Sequence, residues 1–303
     1  MKYLNYCLVS ALWVASSVNS QTSDEPYCTK EQEFYWFCHN IQPDLYSLRS
    51  LLAANSTLVR TLAFNNLKGK FDVSILANFS QLRGVLIYNS TFDFFQIHSK
   101  SLNNIYLSDS TFPSGTKFSN CCAHLEKLTI KNTVGLNLQT GAFTDFRRLK
   151  KLYLSNQQIP RITSCTFKGL RSLKKLSLTN TTTAAIESDA FEDLTRLKEF
   201  YLEDDTLQTI ESNVFKPLRR LTTLTIYGEN LKSLSLDMFS KQRGLTQIGL
   251  PLSTWRMVDV ETIPRMFPKL YAYSYIGEWK NADDEEYIKG KLFRLSQLLL
   301  DRQ

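Results

Sequence analysis

The stretch "FRRLKKLYLSNQQI", Phe146 to Ile159, decides the fold. Its leucines at Leu149, Leu152 and Leu154 follow neither the three-and-four spacing of an amphipathic helix nor strict alternation throughout. Leu152 and Leu154 do alternate, which indicates a short strand with both side chains on one side. The stretch therefore predicts a small unit in which a turn leads into a short strand.

This unit recurs along the chain at an interval of 24 residues. Six copies of the apolar triplet start at Leu125, Leu149, Leu173, Leu197, Leu221 and Leu245. Phenylalanines keep the same step at Phe143, Phe167, Phe191, Phe215 and Phe239. Looser copies start upstream at Val59, Leu82 and Leu102 and downstream at Leu270. A fixed period indicates stacked repeats, because one repeat cannot bury its own apolar face.

The pattern resembles the extracellular leucine-rich-repeat family of the 24-residue type, LxxLxLxxNxLxxLxxxxFxxLxx, over Val59 to Tyr275. The resemblance implies an α/β-type horseshoe solenoid of about nine repeats over residues 59–278. One parallel β-sheet is expected on the concave face, with irregular loops and short helical turns on the convex face. At the motif's asparagine position this chain has other polar residues, including Gln157 and Asp205. The length of Gln157 and of Glu229 predicts a looser turn in their repeats.

The first twenty residues differ in character from the rest of the 303-residue chain. Lys2 precedes an apolar run, and small residues at Val18 and Ser20 fit cleavage after residue 20, so residues 1–20 are expected to be a signal peptide. The alternative is a buried N-terminal helix; the run is too short to span a membrane. Four glycosylation sequons agree with a secreted, extracellular protein: Asn55, Asn78, Asn89 and Asn180.

Both ends of the solenoid are expected to carry caps. In residues 21–58, Cys28 and Cys38 flank an aromatic run, which predicts a disulfide-closed cap with residues 34–37 laid on the first coil. A zinc site is not expected, since no second Cys/His pair follows. In residues 279–303 an apolar stripe predicts a helix that either caps the last coil or binds a partner. The stripe consists of Ile288, Leu292, Leu295 and Leu299.

The remaining cysteines cannot all pair within the chain, although a bond between Cys165 and Cys121 or Cys122 stays open. Once Cys7 leaves with the signal peptide and Cys28 pairs with Cys38, three are left, so at least one has no intrachain partner. Cys121, Cys122 and Cys165 are therefore candidates for a free or interchain thiol, which makes a disulfide-linked oligomer a candidate assembly.

No residue constellation in the sequence supports catalysis or a cofactor. The three histidines stand at no triad or metal spacing, and no glycine-rich phosphate loop occurs. The "CCAH" stretch at residues 121–124 has no distant second pair that would complete a metal site. The formal charge of +7 is mildly basic. Because acidic residues and sequons interrupt the basic area, nucleic-acid binding is not expected.

Stacking the repeats places Lys127, Lys151 and Lys175 in one column on the concave face and continues it with Glu199. Tyrosines occupy the neighbouring column, where an amphipathic ring suits a contact surface. The pattern predicts a binding face for a protein partner of complementary charge; the alternative is that the lysines extend into water and keep the sheet soluble. The predicted contact residues are Lys127, Lys151, Lys175, Tyr106, Tyr153, Tyr201, Glu199 and Glu203.

The sequence is most similar in kind to the short secreted leucine-rich-repeat immune proteins of insects, in particular of mosquitoes. That resemblance implies a non-enzymatic protein that binds a protein ligand or partner chain in innate immunity, without a cofactor or a membrane span. A glycan or another anionic surface is a further candidate ligand. The competing hypothesis is a secreted adhesion or developmental ligand-binding protein on the same scaffold.

Overall fold

The computed structural model describes residues 27–41, 58–69, 76, 79–92, 101–116, 123–138, 141–228, 230–231, 234–276 and 282–301. The expected signal peptide, the sequons at Asn55 and Asn78, the cysteines Cys121 and Cys122, and the expected looser turn at Glu229 lie outside these residues.

A 12-stranded sheet runs the length of the described chain, and its strands follow one another in sequence order. Numbered in chain order through all sheets, its strands are β1 Tyr27–Gln32, β2 Tyr35–His39, β3 Thr61–Asn65, β5 Gly84–Tyr88, β7 Asn104–Ser108, β9 Lys127–Lys131, β11 Lys151–Ser155, β13 Lys175–Thr179, β15 Glu199–Glu203, β17 Thr223–Tyr227, β18 Gln247–Pro251 and β19 Ala272–Ile276. All neighbouring pairs are parallel except β1 with β2. The predicted solenoid sheet is therefore confirmed.

The constant repeat length fixes the register of this sheet. Leu152 lies opposite Leu128 and Leu176, each 24 residues away. Since side chains alternate across a strand, one residue of slippage would expose a whole apolar row. Leu152 and Leu154 are fully buried, whereas Lys151 is exposed on the other side. We call that other side, which the sequence analysis takes as concave, the open face of the main sheet.

The phenylalanines that recur every 24 residues form one continuous spine inside the solenoid. Their ring centroids are separated by 6.2, 6.1, 6.2 and 4.6 Å from Phe143 to Phe239. Two smaller sheets accompany the main sheet and were not predicted, since only loops and short helical turns were expected outside it. One contains β4 Lys68–Gly69, β6 Thr91–Phe92, β8 Thr111–Thr116 and β10 Val134–Leu136, and the other β12 Arg161–Ile162, β14 Ala185–Ile186 and β16 Thr209–Ile210.

Helical segments lie towards the C-terminal end of the described chain. A 3-10 helix spans Leu236–Phe239, followed by α1 Leu252–Met257, α2 Ile263–Met266 and α3 Ala282–Leu300. Helix α3 begins with Asp283, Asp284 and Glu285, which suit the positive end of the helix dipole. No helix among the described residues is long and apolar enough to cross a bilayer.

Asparagines end the strands of the central repeats in a left-handed conformation. Asn132, Asn156 and Asn180 have φ values of 47°, 51° and 52°. Asparagine tolerates this region because its short side chain finds local hydrogen bonds. The amide of Asn180, for example, donates to Oδ1 of Asn156 in the previous coil at 3.0 Å. These asparagines stand one residue before the position at which the family motif has its own.

The next position forms a buried polar column, and the looser turn expected at Gln157 is wrong. Gln157 does not loosen its turn: it is 2% exposed, and its amide donates to the carbonyl oxygens of Ser155 and Asn156 at 3.0 Å. After β15, Asp205 stands at the motif's asparagine position but is exposed. The preceding residue, Asp204, turns inward and is 1% exposed. Asp204 fills this role because the hydroxyl of Thr181 donates to its carboxylate at 2.9 Å.

The N-terminal cap contains the predicted Cys28–Cys38 disulfide, but it is built differently from the expectation. The two cysteines are direct cross-strand partners in the β1–β2 hairpin, and β2 pairs with β3 as a strand of the main sheet. The aromatic run is therefore not laid over the first coil. Trp36 points to the core, and Phe37 stands on the open face next to Ala63.

Helix α3 packs its predicted stripe onto the last coil. Ile288, Leu292, Leu295 and Leu299 are the buried residues of the helix. The hydroxyl of Tyr273 on β19 donates to the backbone oxygen of Leu292 at 2.7 Å, which anchors the middle of the helix. This packing favours the capping interpretation; the domain boundaries drawn from the sequence stay predictions.

Candidate functional site

The predicted lysine column exists as a row across neighbouring strands of the open face. Lys151 lies opposite Lys127 on one side and Lys175 on the other, and Lys175 lies opposite Glu199. The tyrosines share the adjacent row, where Tyr106 and Tyr153 flank Thr129. The sequence thus predicted these positions from the repeat length alone, while their role in binding stays a prediction.

Lys175 does not extend freely into water. Its Nζ donates to Oε2 of Glu199 at 2.7 Å and lies 4.5 Å from the ring centroid of Tyr201. Burial lowers the pKa of Lys175, but the hydrogen bond to Glu199 and the nearby negative charge raise it overall. The charge of Lys175 is therefore balanced within the sheet, so it is a poor candidate for contacting an acidic ligand.

Three other lysines of the open face remain accessible to a ligand. Lys127, Lys131 and Lys151 are exposed, and within the described chain none of them forms an ion pair. The Nζ of Lys127 lies 5.7 Å from the ring centroid of Tyr153, within cation–π range. We call these three residues the lysine triad; Lys131 was missed because it follows the last core residue of its strand.

An aromatic patch, of which only Tyr106 was predicted from the sequence, occupies the N-terminal part of the same face. It consists of Tyr27, Tyr35, Phe37, His39, Tyr88 and Tyr106. The imidazole of His39 stacks on Tyr27 with ring centroids 4.7 Å apart and touches Phe37 at 4.5 Å. Tyr88 lies between Phe37 and Tyr106, and its ring centroid is 6.1 Å from that of Phe37 and 5.3 Å from that of Tyr106. All six rings are half-buried, so each combines apolar contact area with an accessible edge.

Two small residues, Ala63 and Gly84, lie on the strands next to these rings. Ala63 is fully buried although it points to the open face, because the surrounding side chains cover it. At Gly84, a Cβ atom would come within 3.2 Å of Oγ1 of Thr61. The signal that could have revealed the patch is the alternation of Tyr35, Phe37 and His39 on β2, which became readable only when this segment proved to be a strand.

Partial burial in the patch changes the acid–base behaviour of its members. Burial, assisted by the nearby charge of Glu31, raises the pKa of Tyr35 to about 12. Burial raises the pKa of Tyr88 as well, with neighbouring phenols adding to the effect. Burial lowers the pKa of His39, against an opposing contribution from Glu31, so the imidazole is neutral at physiological pH. The patch is therefore an uncharged surface beside a positive one.

The phenol of Tyr35 is expected to ionise about two pH units later than a free tyrosine, which has a pKa of about 10. The tyrosinate absorbance of the wild-type protein minus that of a Tyr35→Phe variant isolates this residue, and its midpoint is expected at about pH 12. In denaturant the midpoint should return to the free value. A difference titration centred near pH 10 in the folded protein would contradict the burial of this ring.

The other predicted sites lie away from the lysine triad. Asn89 and Asn180 are exposed at the edge where the strands end, and their glycosylation stays a prediction. Cys165 is exposed and forms no disulfide in the described chain. Glu203 is exposed at the end of β15, in the row that also holds Lys131. Among the described residues, no three His, Cys, Asp or Glu side chains gather as a metal site would require.

Comparison with known protein families agrees with this geometry. The family described as BspA type Leucine rich repeat region matches in six copies over residues 87–184 and 114–246, which together cover more than half of the chain. The chain belongs to the BspA-type leucine-rich-repeat family. No functionally curated protein matches this leucine-rich-repeat chain in sequence.

Comparison with solved structures finds similar chains at low sequence identity. A chain from the crystal structure of a TLR13–ssRNA13 complex aligns with a TM-score of 0.56 and 23% identity, over 63% of this chain and 28% of that chain. A chain from an octameric complex of Latrophilin 3, Unc5D and FLRT2 aligns with a TM-score of 0.44 and 18% identity, over 72% and 84% of the two chains. Our chain thus spans less than a third of the TLR13 chain, and the likeness to TLR13 shows the fold alone.

Proposed function

We propose that this leucine-rich-repeat protein is a non-enzymatic recognition protein that binds a protein partner on the open face of its main sheet. The observation that carries the proposal is that an uncharged aromatic surface and a positively charged surface lie side by side on this face. The aromatic patch ends at Tyr106 on β7, and the lysine triad begins on β9, the next strand. Aromatic residues that combine apolar area with polar atoms are the residue types enriched in the energetic centres of protein interfaces.

The chemistry of the two surfaces suggests the kind of partner. An apolar or aromatic segment would lie on the uncharged patch, and acidic side chains next to it would reach Lys127, Lys131 and Lys151. The sheet supports such recognition because its strands are fixed by continuous hydrogen bonding and little ordering is required on binding. Glu199 and Tyr201, which hold Lys175, form the border of the surface on the C-terminal side.

Secretion and innate immunity are the finer parts of the proposal. The Cys28–Cys38 disulfide and the sequons at Asn89 and Asn180 support an oxidising, extracellular compartment. The immune role rests on the resemblance to secreted insect proteins with this repeat. Affinity capture from extracellular fluid with crosslinking and mass spectrometry should then recover a protein of that fluid.

Neutralising the lysine triad is expected to weaken binding of the captured partner about tenfold or more, chiefly by slowing association and reducing its dependence on salt. The change is Lys127→Gln, Lys131→Gln and Lys151→Gln, measured by biosensor kinetics at several salt concentrations. A matched control removes three exposed charges elsewhere, with Lys30→Gln, Lys68→Gln and Arg265→Gln. If the folded triad variant and the control bind alike, the open face is not the binding site.

A further inference from the structure

The positive charge of this protein is concentrated at one edge of the solenoid. Five turns of seven residues lead directly into β11, β13, β15, β17 and β18, and they span residues 144–150, 168–174, 192–198, 216–222 and 240–246. They contain 13 of the 36 Lys and Arg residues but only 3 of the 29 Asp and Glu residues, a net charge of +10. The rest of the chain has 23 basic and 26 acidic residues, a net charge of −3. We call these five turns the basic edge.

The repeated backbone holds the charges of the basic edge in rows. The amide of Lys174 donates to the carbonyl oxygen of Lys150 at 2.8 Å, and the amide of Lys198 donates to that of Lys174 at 2.9 Å. Successive coils are therefore joined by backbone hydrogen bonds at this edge, and equivalent residues recur at about the 4.8 Å spacing of neighbouring strands. A row at such a spacing presents a fixed line of charge and is not a set of independent surface residues.

Most cations of the basic edge are available to a ligand. Only Lys150, which pairs with Glu126 at 2.5 Å, and Arg171, which pairs with Asp193 at 3.2 Å, form ion pairs. The other eleven are exposed and have no ion pair anywhere in the described chain. They are Arg147, Arg148, Lys168, Lys174, Arg196, Lys198, Lys216, Arg219, Arg220, Lys241 and Arg243. Arg196, Arg219 and Arg220 line one shallow recess between two coils.

We propose that the basic edge binds a linear sulfated polysaccharide. Guanidinium groups bind sulfate oxygens in paired hydrogen bonds, and a line of them matches a chain that carries anionic groups at regular intervals. Proteins that bind single-stranded nucleic acid combine such charge with exposed aromatic rings on which bases stack. In the five turns the one aromatic residue is Phe146, and it is fully buried. A sulfated sugar chain, which needs no stacking surface, therefore fits this edge better than RNA or DNA.

The position of the basic edge leaves it free for a second ligand. It lies where the strands begin, whereas the sequons at Asn89 and Asn180 lie where the strands end. Sugars attached there would leave the basic edge uncovered. The lysine triad points from the open face, so a protein partner and a polysaccharide could be bound at the same time. Binding at the two surfaces is consequently expected to be separable by mutation.

The test compares heparin oligosaccharide binding by two charge-matched variants at several salt concentrations. Arg196→Gln, Arg219→Gln and Arg220→Gln are expected to reduce the slope of log affinity against log salt by about 2, if each lost contact contributes ~0.7 as it does for single-stranded polyanions. The control with Lys30→Gln, Lys68→Gln and Arg265→Gln has the same net charge and should bind within about twofold of wild type. Desulfated heparin of equal length should not bind.

Three results would overturn this proposal. One is that the folded triple-arginine variant binds heparin with the affinity of the wild-type protein. Another is that the control variant loses as much heparin affinity, which would indicate attraction by net charge alone. The third is tighter binding of single-stranded RNA of matched charge, which would identify the edge as a nucleic-acid surface. The lysine-triad variant keeps all three arginines, so it should retain heparin binding whether or not the proposed protein recognition is correct.

Discussion

Replacing Phe191 with alanine is expected to lower the free energy of unfolding by about 3–5 kcal/mol. Phe191 is fully buried in the middle of the phenylalanine spine, with ring centroids 6.1 Å from Phe167 and 6.2 Å from Phe215. Its ring also meets the edge of Phe200 at 5.1 Å, which joins the spine to the core side of β15. Because each coil packs only on its two neighbours, other parts of the chain cannot move in to fill the cavity.

Denaturant unfolding followed by circular dichroism measures this loss. Phe191→Leu is the matched control, since it retains most of the buried apolar volume and is expected to cost far less than the alanine variant. Phe239→Ala, at the C-terminal end of the spine, tests whether the effect is specific to the centre. A loss below about 1 kcal/mol for Phe191→Ala would contradict a continuous, close-packed spine.

The repeat length made the central coils predictable to the residue. Lys151 and Lys175 face each other as expected because every coil from β9 to β18 has the same number of residues between equivalent positions. Register alone, however, does not determine where a long side chain goes. Lys175 bends to Glu199 because a carboxylate stands on the next strand, whereas Lys151 has lysines on both sides and stays exposed.

The first coil was less predictable because it does not obey the repeat. The β1–β2 hairpin adds a strand to the main sheet but lacks the leucine triplet. That β2 belongs to the sheet could therefore be recognised only from the alternation of inward and outward side chains along it. The cysteine pair favoured a compact covering cap, and that interpretation concealed Phe37 and His39 as residues of the open face. The aromatic patch, which carries the proposed function together with the lysine triad, was therefore missed.

Adjacent polar residues posed a different problem at the end of β15. Asp204 and Asp205 have the same side chain, and the repeat motif favoured Asp205 for the buried position. The choice between them depends on donors in the previous coil. Thr181 and Thr183 in that coil offer a hydroxyl and a backbone amide to the carboxylate of Asp204, at 2.9 and 2.8 Å. Such a preference arises between coils and is absent from the sequence of any single repeat.

Asp204→Ala is accordingly expected to lower the free energy of unfolding by about 2–4 kcal/mol. The carboxylate is 1% exposed and also accepts hydrogen bonds from the amide and the hydroxyl of Thr206, at 2.8 and 2.6 Å. Removing it leaves the amide of Thr183 without its acceptor in a fully buried site, and a buried donor without a partner costs about 1–3 kcal/mol. The end of β15 would loosen with it, including Glu203 on the open face.

The neighbouring aspartate provides the control for this change. Asp205→Ala removes an identical carboxylate from an exposed position and is expected to alter the stability by no more than about 0.5 kcal/mol. Asp204→Asn keeps the shape and one acceptor oxygen, so its loss should fall between the two alanine variants. Equilibrium unfolding in denaturant measures all three. If Asp205→Ala costs as much as Asp204→Ala, the buried polar column passes through the wrong residue, and the orientation of β15 towards the open face must be revised.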